Sequence, residues 1–312
     1  MNKVSLIIGI PTFKRPKGLE RLLNTIENLE IPSDICVSIL VADNDGDQGA
    51  GLTIVEKLSE KFPFRLFGVP VTERGISQVR NKILHTAFEQ ENADFLAMLD
   101  DDETVDSKWL VELVRIHFDT KADVVGGAVL PEFSSEPPSW TSGLPIFWRN
   151  RPPSGPVDLI HGTGAILLSR RFWDAYAKPT FDVKFGLTGG GDKEFFTRLK
   201  GLGATFAYAS EAISYEFYDL SRVTIDWARK REYRIGSTDI RIMKKHGLSS
   251  VKIFNELAKF FAALVYYLVR YCLLYANKNI RIHSSLKIYR QLGKVNALFG
   301  TPYEEYRNIK GS

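Results

Sequence analysis

Short apolar runs alternate with amphipathic segments along the first hundred residues, and this alternation restricts the possible folds more than any other feature. Runs rich in β-branched residues predict strands, and apolar residues spaced three or four apart predict helices. Strands that alternate with helices are typical of an α/β fold with a mostly parallel, doubly wound sheet. The predicted strands are 4–10, 36–42, 65–70 and 95–99, and the predicted helices are 16–29, 52–61 and 76–90.

The loops that follow the predicted strands are the first candidates for a binding site, because ligands of such sheets bind beyond the carboxyl ends of the strands. These loops are 12–15, 43–47 and 100–103. A stretch rich in proline and tryptophan, 131–156, then predicts a long irregular loop, and loops of that length inside a domain are usually functional. Further strands are predicted at 165–168 and 205–209, with a helix at 193–200 between them.

The composition is that of a globular protein that buries a core. Of 312 residues, 44% are hydrophobic and 25% are charged, which excludes a disordered or collagen-like chain. The two cysteines, Cys36 and Cys272, have no metal-ligand spacing, which favours a reducing compartment. The opening apolar run is short and is broken by Pro11, unlike a signal peptide. We therefore expect a cytoplasmic protein.

Charge is distributed unevenly along the chain. Residues 1–221 carry 23 basic and 31 acidic side chains, whereas residues 222–294 carry 16 basic and 4 acidic ones. This surplus of positive charge near the C-terminus predicts an anionic surface as a partner, either a membrane or a nucleic acid. Nucleic acid is disfavoured because the basic region contains no recognised binding module.

Four consecutive acids follow the predicted strand 95–99, namely Asp100, Asp101, Asp102 and Glu103. Adjacent carboxylates repel one another, and a cation would relieve that repulsion. Hard cations such as Mg²⁺ or Mn²⁺ take oxygen ligands from one or two carboxylates and from substrate phosphates. The alternative is a solvated acidic turn that caps a helix beginning near Asp106.

Several short motifs, in a fixed order, resemble those of family 2 glycosyltransferases, inverting enzymes with the Rossmann-like GT-A fold. They are Ser5-Leu-Ile-Ile-Gly-Ile-Pro-Thr-Phe-Lys-Arg15, Val41-Ala-Asp43-Asn44, the strand that ends in Asp100-Asp101-Asp102, and Gly191-Asp192-Lys193-Glu194. The resemblance covers roughly residues 4–235. It is strongest to bacterial exopolysaccharide and lipopolysaccharide transferases of the succinoglycan glucosyltransferase type.

The resemblance implies a binding site for a nucleotide-sugar donor. The residues that match the nucleotide-binding loop are Pro11, Thr12, Phe13 and Arg15. Asp43 matches an aspartate that accepts a hydrogen bond from the base, classically from N3 of uracil. Its alternative role is an Asx-type turn. Arg80 matches an arginine near the diphosphate, and Thr163 and Gly164, which follow His161, match a segment beside the donor sugar.

The resemblance also implies a metal ion and a catalytic base. Asp100 and Asp101 would contact substrate, and Asp102, with Asp100 and Glu216, would bind Mn²⁺ or Mg²⁺. Asp192 matches the base that takes the proton of the acceptor hydroxyl, and Gly190 and Gly191 would let the acceptor approach closely. Many relatives carry an acid where Gly191 stands. The alternative role of Asp192 is a helix N-cap.

Residues 222–300 are predicted to be helical throughout. Between Lys252 and Ala276 the polar residues form a narrow stripe, and only ten residues separate Lys259 from Arg270, too few to span a bilayer. This pattern predicts an interfacial helix on an anionic leaflet, or else a helix that packs on the catalytic domain or on a second subunit. We divide the chain into a catalytic domain, 1–235, and a basic helical extension, 236–312.

The function expected from the sequence is an inverting, metal-dependent, hexosyltransferase-type glycosyltransferase. It would move a sugar from a UDP-sugar to a glycan or lipid-linked acceptor in surface polysaccharide biosynthesis, in the cytoplasm or on the inner face of the membrane. One alternative is a sugar-phosphate nucleotidyltransferase, although its Gly-x-Gly-x-Arg loop is missing. A second alternative is a non-catalytic protein that binds nucleotide sugars. ATPases and dinucleotide oxidoreductases are disfavoured, because neither glycine-rich motif occurs.

Overall fold

The computed structural model describes residues 3–46, 49–160, 162–247 and 249–299, without the side chains of 250, 252 and 253. His161 and the side chain of Lys252 therefore lie outside the described residues. Within them, nine strands form one mixed sheet. The strands are β1 (Val4–Thr12), β2 (Ile35–Asp43), β3 (Arg65–Pro70), β4 (Phe95–Met98), β5 (Glu103–Val105), β6 (Val124–Phe133), β7 (Gly155–Val157), β8 (Ile166–Ser169) and β9 (Phe206–Tyr218).

Nine α-helices lie around and beyond this sheet in the described part of the chain. They are α1 (Pro16–Ile26), α2 (Ala50–Ser59), α3 (Ile76–His85), α4 (Trp109–Thr120), α5 (Arg170–Ala175), α6 (Gly191–Gly201), α7 (Ile225–Lys245), α8 (Ser250–Leu273) and α9 (Lys278–Phe299). A π-helical turn, Thr86–Gln90, extends α3. The four strands and three helices predicted for the first hundred residues are therefore present, with ends that differ by a few residues.

The sheet joins a parallel half to a mixed half. Its strand order is β3-β2-β1-β4-β8-β6-β9-β5, with β7 beside β9. The first four strands are parallel, β8 is antiparallel to both its neighbours, and β6 and β9 are parallel with a register shift at Gly127/Ala128. Consequently β1 and β4 end side by side at the centre, and Thr12 and Asp100 emerge at the same edge.

Apolar side chains cover both faces of the sheet. On one face Leu22 and Leu23 of α1 and Trp109 of α4 are buried against the strands. On the other face Ile83 of α3 and Phe195 of α6 are buried. Continuous apolar strands are expected where both faces are covered, and β1 and β4 have that character.

A third apolar cluster joins the C-terminal helices to the proline-rich loop and to β9. It contains Trp140 and Phe147 from the proline-rich loop, Tyr218 from β9, and Ile282 and Leu286 from α9. The stretch 131–156, predicted to be an irregular loop, is thus packed in part, and its two ends belong to β6 and β7. Between those strands it contains a short 3₁₀ turn, Ser139–Thr141. The predicted division at residue 235 remains a prediction, and the structure places that residue in the middle of α7.

Helices α7 and α9 lie unusually close together. A Cβ atom on Gly236 would lie 2.0 Å from the carbonyl oxygen of Arg290, and one on Gly293 would lie 1.9 Å from that of Tyr233. Helix α8 packs on α9. Among the described residues, no helix has the combination of length and apolar character needed to cross a membrane.

Candidate active site

A cavity of about 1300 Å³ opens at the carboxyl ends of β1 and β4. Helices α3, α6 and α7 and the loop 145–164 complete its wall. The predicted site residues that line it are Pro11, Thr12, Phe13, Arg15, Arg80, Asp100, Asp101, Asp102, Thr163, Gly164, Gly190, Asp192 and Glu216. Asp43 and Gly191 are absent from this lining. The carboxyl-end rule for parallel sheets therefore located the cavity from the sequence.

The loop between β4 and β5 is held to the loop after β1 by charged hydrogen bonds. The Thr12 hydroxyl donates to Asp101 over 2.9 Å, and Arg15 Nη1 lies 3.1 Å from Asp101 and 3.0 Å from Asp102. Burial is the largest influence on Asp101 and raises its pKa to about 6, although Arg15 acts in the opposite direction. Asp101 is thus a buried positioning group between two loops.

Asp102 and Glu216 share one guanidinium group. Arg222 donates to Asp102 over 2.7 Å and to Glu216 over 3.0 Å. Burial tends to raise the pKa of Asp102, but attraction to Arg222 and Arg15 outweighs burial and lowers that pKa. Arg149 binds the second carboxylate oxygen of Glu216. Glu216, predicted as a metal ligand, therefore has an arginine on each of its two carboxylate oxygens, and these two positive charges oppose the binding of a cation there.

Asp100 lines the cavity together with the guanidinium group of Arg80 and the carboxylate of Asp192. Arg80 Nη2 donates to its Oδ1 over 3.0 Å. Burial raises the pKa of Asp100, Arg80 opposes that increase, and the negative charges of Asp102 and Asp192 add to it. Asp192 is therefore near enough to Asp100 for their charges to interact, although one belongs to α6 and the other follows β4.

Asp192 lies in the first turn of α6. Its Oδ1 accepts the backbone N–H of Lys193 over 2.8 Å. Gly190 occupies the N-cap position of α6, so the alternative role predicted for Asp192, a helix N-cap, is wrong. Gly190 precedes the helix with a φ of 83°, in the left-handed region that favours glycine. A Cβ there would also meet Thr238 of α7 at 2.2 Å. Gly191 is buried within α6 and does not reach the cavity.

Asp43 is fully buried away from the cavity lining. Its Oδ1 accepts the N–H of Asp45, and its Oδ2 accepts those of Gly51 and Leu52 at the start of α2. The structure therefore supports the Asx-type turn and gives no support to the base contact predicted for Asp43. The neighbouring Asn44 lines the cavity instead.

A surface suited to a flat ring lies beside Asn44. The Asn44 amide bridges to the backbone of Val71, Glu73 and Gly75. The Arg74 guanidinium lies 4.3 Å from the centre of the Phe13 ring, and both residues line the cavity. An aromatic face and a guanidinium plane are the groups on which a nucleobase stacks.

Several lining residues escaped the sequence analysis. Arg149 and Asn150 come from the proline-rich loop, Tyr208 from β9 and Arg290 from α9. Arg149 stands in a segment without periodicity, so no pattern indicated which way it faces. Trp227, Arg231 and Arg234 of α7 also line the cavity. The sequence signal for them was the basic run 222–234, in which Arg222, Arg231 and Arg234 match a basic helix of the family, without any one of them being assigned to phosphate.

The carboxylates fit a divalent cation only in part. Among the described residues, no group of three or more His, Cys, Asp or Glu side chains is arranged to hold a metal ion. Asp100 and Asp102 each keep one carboxylate oxygen that accepts no hydrogen bond from the described residues. Two such oxygens suit Mg²⁺ or Mn²⁺, which completes its shell with phosphate oxygens and water. Asp100 and Asp102 therefore fit, and Glu216 does not.

Comparison with known proteins agrees with this geometry. The family model described as glycosyl transferase family 2 matches residues 7–175. The chain is also similar to the succinoglycan biosynthesis protein ExoM of Rhizobium meliloti (strain 1021). The two are 33% identical over 251 residues, which is 77% of this chain and 76% of the relative.

Two solved structures share the architecture. TarS 1-349 from S. aureus in complex with UDP-GlcNAc has 14% identity and a TM-score of 0.53, and the match covers 94% of this chain and 91% of TarS. The mannosyltransferase PcManGT from Pyrobaculum calidifontis in complex with GDP-Man and Mn²⁺ has 14% identity and a TM-score of 0.63, covering 95% and 88% of the two chains. These matches confirm the predicted GT-A-like fold.

Proposed function

We propose that this chain, which belongs to glycosyltransferase family 2, transfers a sugar from a nucleoside diphosphate sugar to an acceptor hydroxyl. The transfer inverts the configuration at the anomeric carbon. Membership of the family makes the chain a glycosyltransferase, as the sequence predicted. A UDP-sugar is the donor we favour. The solved structure with UDP-GlcNAc supports that choice, and the relative with GDP-Man makes GDP-sugars the competing donors.

One observation carries this proposal: Asp192 of α6 and Asp100, which follows β4, line the same cavity. Displacement from the face opposite the leaving group requires a base on one side of the sugar and charge stabilisation on the other. Asp192 acts as the base that accepts the acceptor proton while the hydroxyl oxygen attacks. The backbone N–H of Lys193 holds its carboxylate in place.

The arginines of the cavity bind the donor diphosphate. Arg15, Arg80 and Arg222 are each paired with an aspartate of the 100–102 run, so their guanidinium groups are already fixed. A guanidinium carries five N–H donors, and it can therefore bind a phosphate oxygen while it keeps its carboxylate. Fixed donors of this kind stabilise charge that develops on a leaving group.

Asp102 and Asp100 would hold a divalent cation, Mn²⁺ or Mg²⁺, through their free oxygens. When bound, the cation supplies Lewis-acid stabilisation of the departing diphosphate. The Mn²⁺ complex of the mannosyltransferase supports this assignment. The chain's own residues orient the two carboxylates, since Arg80, Arg15 and Arg222 fix the opposite edge of each.

Thr163 and Gly164 border the position of the donor sugar. Thr163 is buried, and its hydroxyl has no hydrogen-bond partner within the described residues. A sugar hydroxyl would supply the missing partner, and an unpaired buried hydroxyl otherwise costs about 1–3 kcal/mol. Gly164 leaves room for the buried Glu103 carboxylate, which a Cβ atom would meet at 2.2 Å.

The acceptor is a glycan or a lipid-linked saccharide in the synthesis of a surface polysaccharide. The similarity to a succinoglycan biosynthesis protein supports this class. A lipid-linked acceptor would place the reaction at the inner face of the cell membrane. Arg231 and Arg234 of α7 line the cavity and would lie beside an acceptor that carries phosphate.

The test is the variant Asp192→Asn. We expect transfer to fall by about 10²–10⁴-fold, because general base catalysis contributes on that order, while UDP binding measured by calorimetry stays within twofold. Asp158→Asn is the matched control, since Asp158 also lines the cavity but is exposed and paired with Lys200 at its rim. Equal turnover in the two variants would show that Asp192 is not the base.

A further inference from the structure

Helix α8 carries an apolar face that no described residue covers. The exposed fractions are 71% for Phe254, 59% for Phe261, 59% for Val265 and 77% for Leu273. Side chains this apolar are usually buried in a monomeric protein, and a continuous exposed patch of them marks an interaction surface. The face includes Val251, Phe254, Ala258, Phe261, Ala262, Val265, Leu268, Val269, Cys272 and Leu273.

This face is continuous because the helix packs through its opposite side. The partly buried residues Leu257, Leu264 and Tyr267, together with the buried Phe260, are three or four positions apart and lie on the side toward α9. The exposed apolar residues recur with the same spacing of three or four positions, and they lie on the other side of the helix. A helix of 24 residues is about 36 Å long, so the exposed face is a long narrow strip.

The sequence had indicated a polar stripe on α8, and the structure shows how little of it faces outward. Glu256 is partly buried and is paired with Lys259, and Arg270 is partly buried too. Among residues 254–273 that the structure describes, the exposed side chains with a polar group are Asn255, Lys259 and, through its hydroxyl, Tyr266. An outward strip with so few polar groups does not suit permanent exposure to water.

Positive charge surrounds this apolar strip. Lys259 lies on α8 itself, and the exposed Lys278 begins α9 directly after it. Arg281, on the first turn of α9, is 4.5 Å from the ring centre of the exposed Tyr275. Residues 250–281, which contain α8 and the start of α9, carry 5 basic side chains and 1 acidic one. Packing two copies through α8 would bring two such surpluses together, whereas an anionic surface would neutralise them.

We infer that the apolar face of α8 docks the protein onto the surface of an anionic lipid bilayer. The helix would lie parallel to the surface, with Phe254, Phe261 and Val265 among the lipid headgroups and the nearby lysines and arginines facing anionic headgroups. Exposed tyrosines such as Tyr266 and Tyr275 suit the interface, since one end of the ring is apolar and the other is polar.

The position of α8 links this surface to the active site. Helix α9 packs against α8 on one side and α7 on the other, and Arg290 of α9 lines the cavity. A docked α8 would thus hold the cavity one helix layer from the membrane. The use of a membrane-borne acceptor rests on the proposed function, whereas docking itself does not.

Vesicle flotation of the full chain tests the inference. The vesicles are phosphatidylcholine alone, or phosphatidylcholine with about 30% phosphatidylglycerol as the anionic lipid. We expect the wild-type chain to float with the anionic vesicles, to float less as salt is raised, and to stay largely unbound with neutral vesicles. Absence of binding to anionic vesicles, or equal binding to both kinds, would overturn the inference.

The variant Phe261→Asp/Val265→Asp tests the face itself. We expect at least about a tenfold loss of vesicle binding, since two apolar side chains no longer enter the interface. Leu202→Asp is the matched control, because Leu202 is 61% exposed on the far end of α6, and it should bind like the wild type. Vesicle binding by the double variant equal to that of the control would overturn the inference.

Two further readouts separate the alternatives. Light scattering reports the oligomeric state, and a wild-type dimer that the double variant converts to a monomer would assign the face to a second copy instead. Donor hydrolysis in solution reports the proposed function without membranes. A double variant that still hydrolyses the donor but no longer floats with vesicles supports docking. If no protein, the wild type included, hydrolyses the donor, that result counts against the proposed function alone.

Discussion

Asp239 is a single carboxylate that joins three helices. It belongs to α7, and it accepts hydrogen bonds from Lys193 of α6 over 2.6 Å and from Arg290 of α9 over 2.9 Å. Burial tends to raise the pKa of Asp239, but attraction to Lys193 and Arg290 outweighs it, so the pKa lies below the ordinary value. Because Lys193 follows Asp192 directly, this carboxylate also helps to fix the start of α6 where the proposed base lies.

The depressed pKa of Asp239 predicts a pH-dependent loss in the variant Asp239→Asn. The ionised group stabilises the folded state above its unfolded pKa of about 3.9, and that contribution disappears as pH falls through the lower folded pKa. We expect the free energy of unfolding to fall by about 1–2 kcal/mol at pH 7 and the difference from wild type to shrink below about pH 4.

Urea unfolding of both proteins between neutral and acid pH measures that difference. Asp119→Asn serves as the control, since Asp119 is an exposed partner of Arg115 and such pairs contribute about 0–1 kcal/mol. A difference between Asp239→Asn and wild type that stayed constant down to acid pH would show that the charge of Asp239 has no part in stability.

At the level of single residues, the sequence was a better guide to which side chains lie close together than to the partners that each side chain binds. The acids of the 100–102 run lie near Thr12 and Arg15 because strand ends in a parallel sheet converge, and that can be inferred from the strand pattern. Asp192 reaches the same cavity from the first turn of α6. The partners Arg149 and Arg222 come from a loop and from a turn after β9, and contacts so distant in sequence leave no local pattern. Asp43 illustrates the same limit, because its turn contacts fit the sequence as well as a base contact did.

The contact between α7 and α9 depends on two glycines. Gly293 faces the backbone of Tyr233 so closely that a Cβ atom would lie 1.9 Å from a carbonyl oxygen. Gly293→Ala must therefore push the two helices apart, and we expect it to lower the free energy of unfolding by about 1–3 kcal/mol. Thermal or urea unfolding measures the effect.

Gly201→Ala is the control for this substitution. Gly201 ends α6, and a Cβ atom there would have no neighbour within 4 Å. Alanine is favoured over glycine in a helix by up to about 1 kcal/mol, so this variant should be as stable as wild type or more stable. If both glycine variants behaved alike, the close approach of α7 and α9 would not be a source of stability.

At the level of elements, the strands with continuous apolar sequences were predictable and the interrupted ones were not. Strands β1 to β4 are parallel neighbours with covered faces, which favours unbroken apolar runs. Strand β6 contains Gly126, Gly127 and Pro131, residues that are depleted in strands, and its pairing with β8 and β9 outweighs that low propensity. Such pairing depends on partners about 40 and 80 residues away, which a local pattern does not reveal.

For the whole molecule, the C-terminal helices are a structural part of the catalytic half. Ile282 and Leu286 of α9 are buried with Trp140 and Phe147, and His283 Nε2 lies 2.7 Å from the carbonyl oxygen of Trp140. A chain that ends after α7 would expose this cluster. Burial of one such aliphatic side chain stabilises a protein by about 1.5–3 kcal/mol, so we expect a clearly lower melting temperature in the truncated chain.

Differential scanning calorimetry and binding of an apolar dye measure the effect of this truncation. The full chain with Phe261→Asp/Val265→Asp is the comparison, since it alters the C-terminal region without touching the cluster and should melt like the wild type. A truncated chain with an unchanged melting temperature would favour the predicted division, in which the extension is separable from the catalytic domain.

In the proposed function, the donor diphosphate would meet arginines that already hold carboxylates, so its binding would rearrange existing ion pairs rather than simply add charge. Arg222 already holds Asp102 and Glu216, and a diphosphate that enters must share or replace those contacts. Because each guanidinium would divide its N–H donors between carboxylate and phosphate, the donor would gain less from it than from an unpaired one. A site built in this way discriminates by geometry, because only an anion that reaches several arginines at once recovers what the exchange costs.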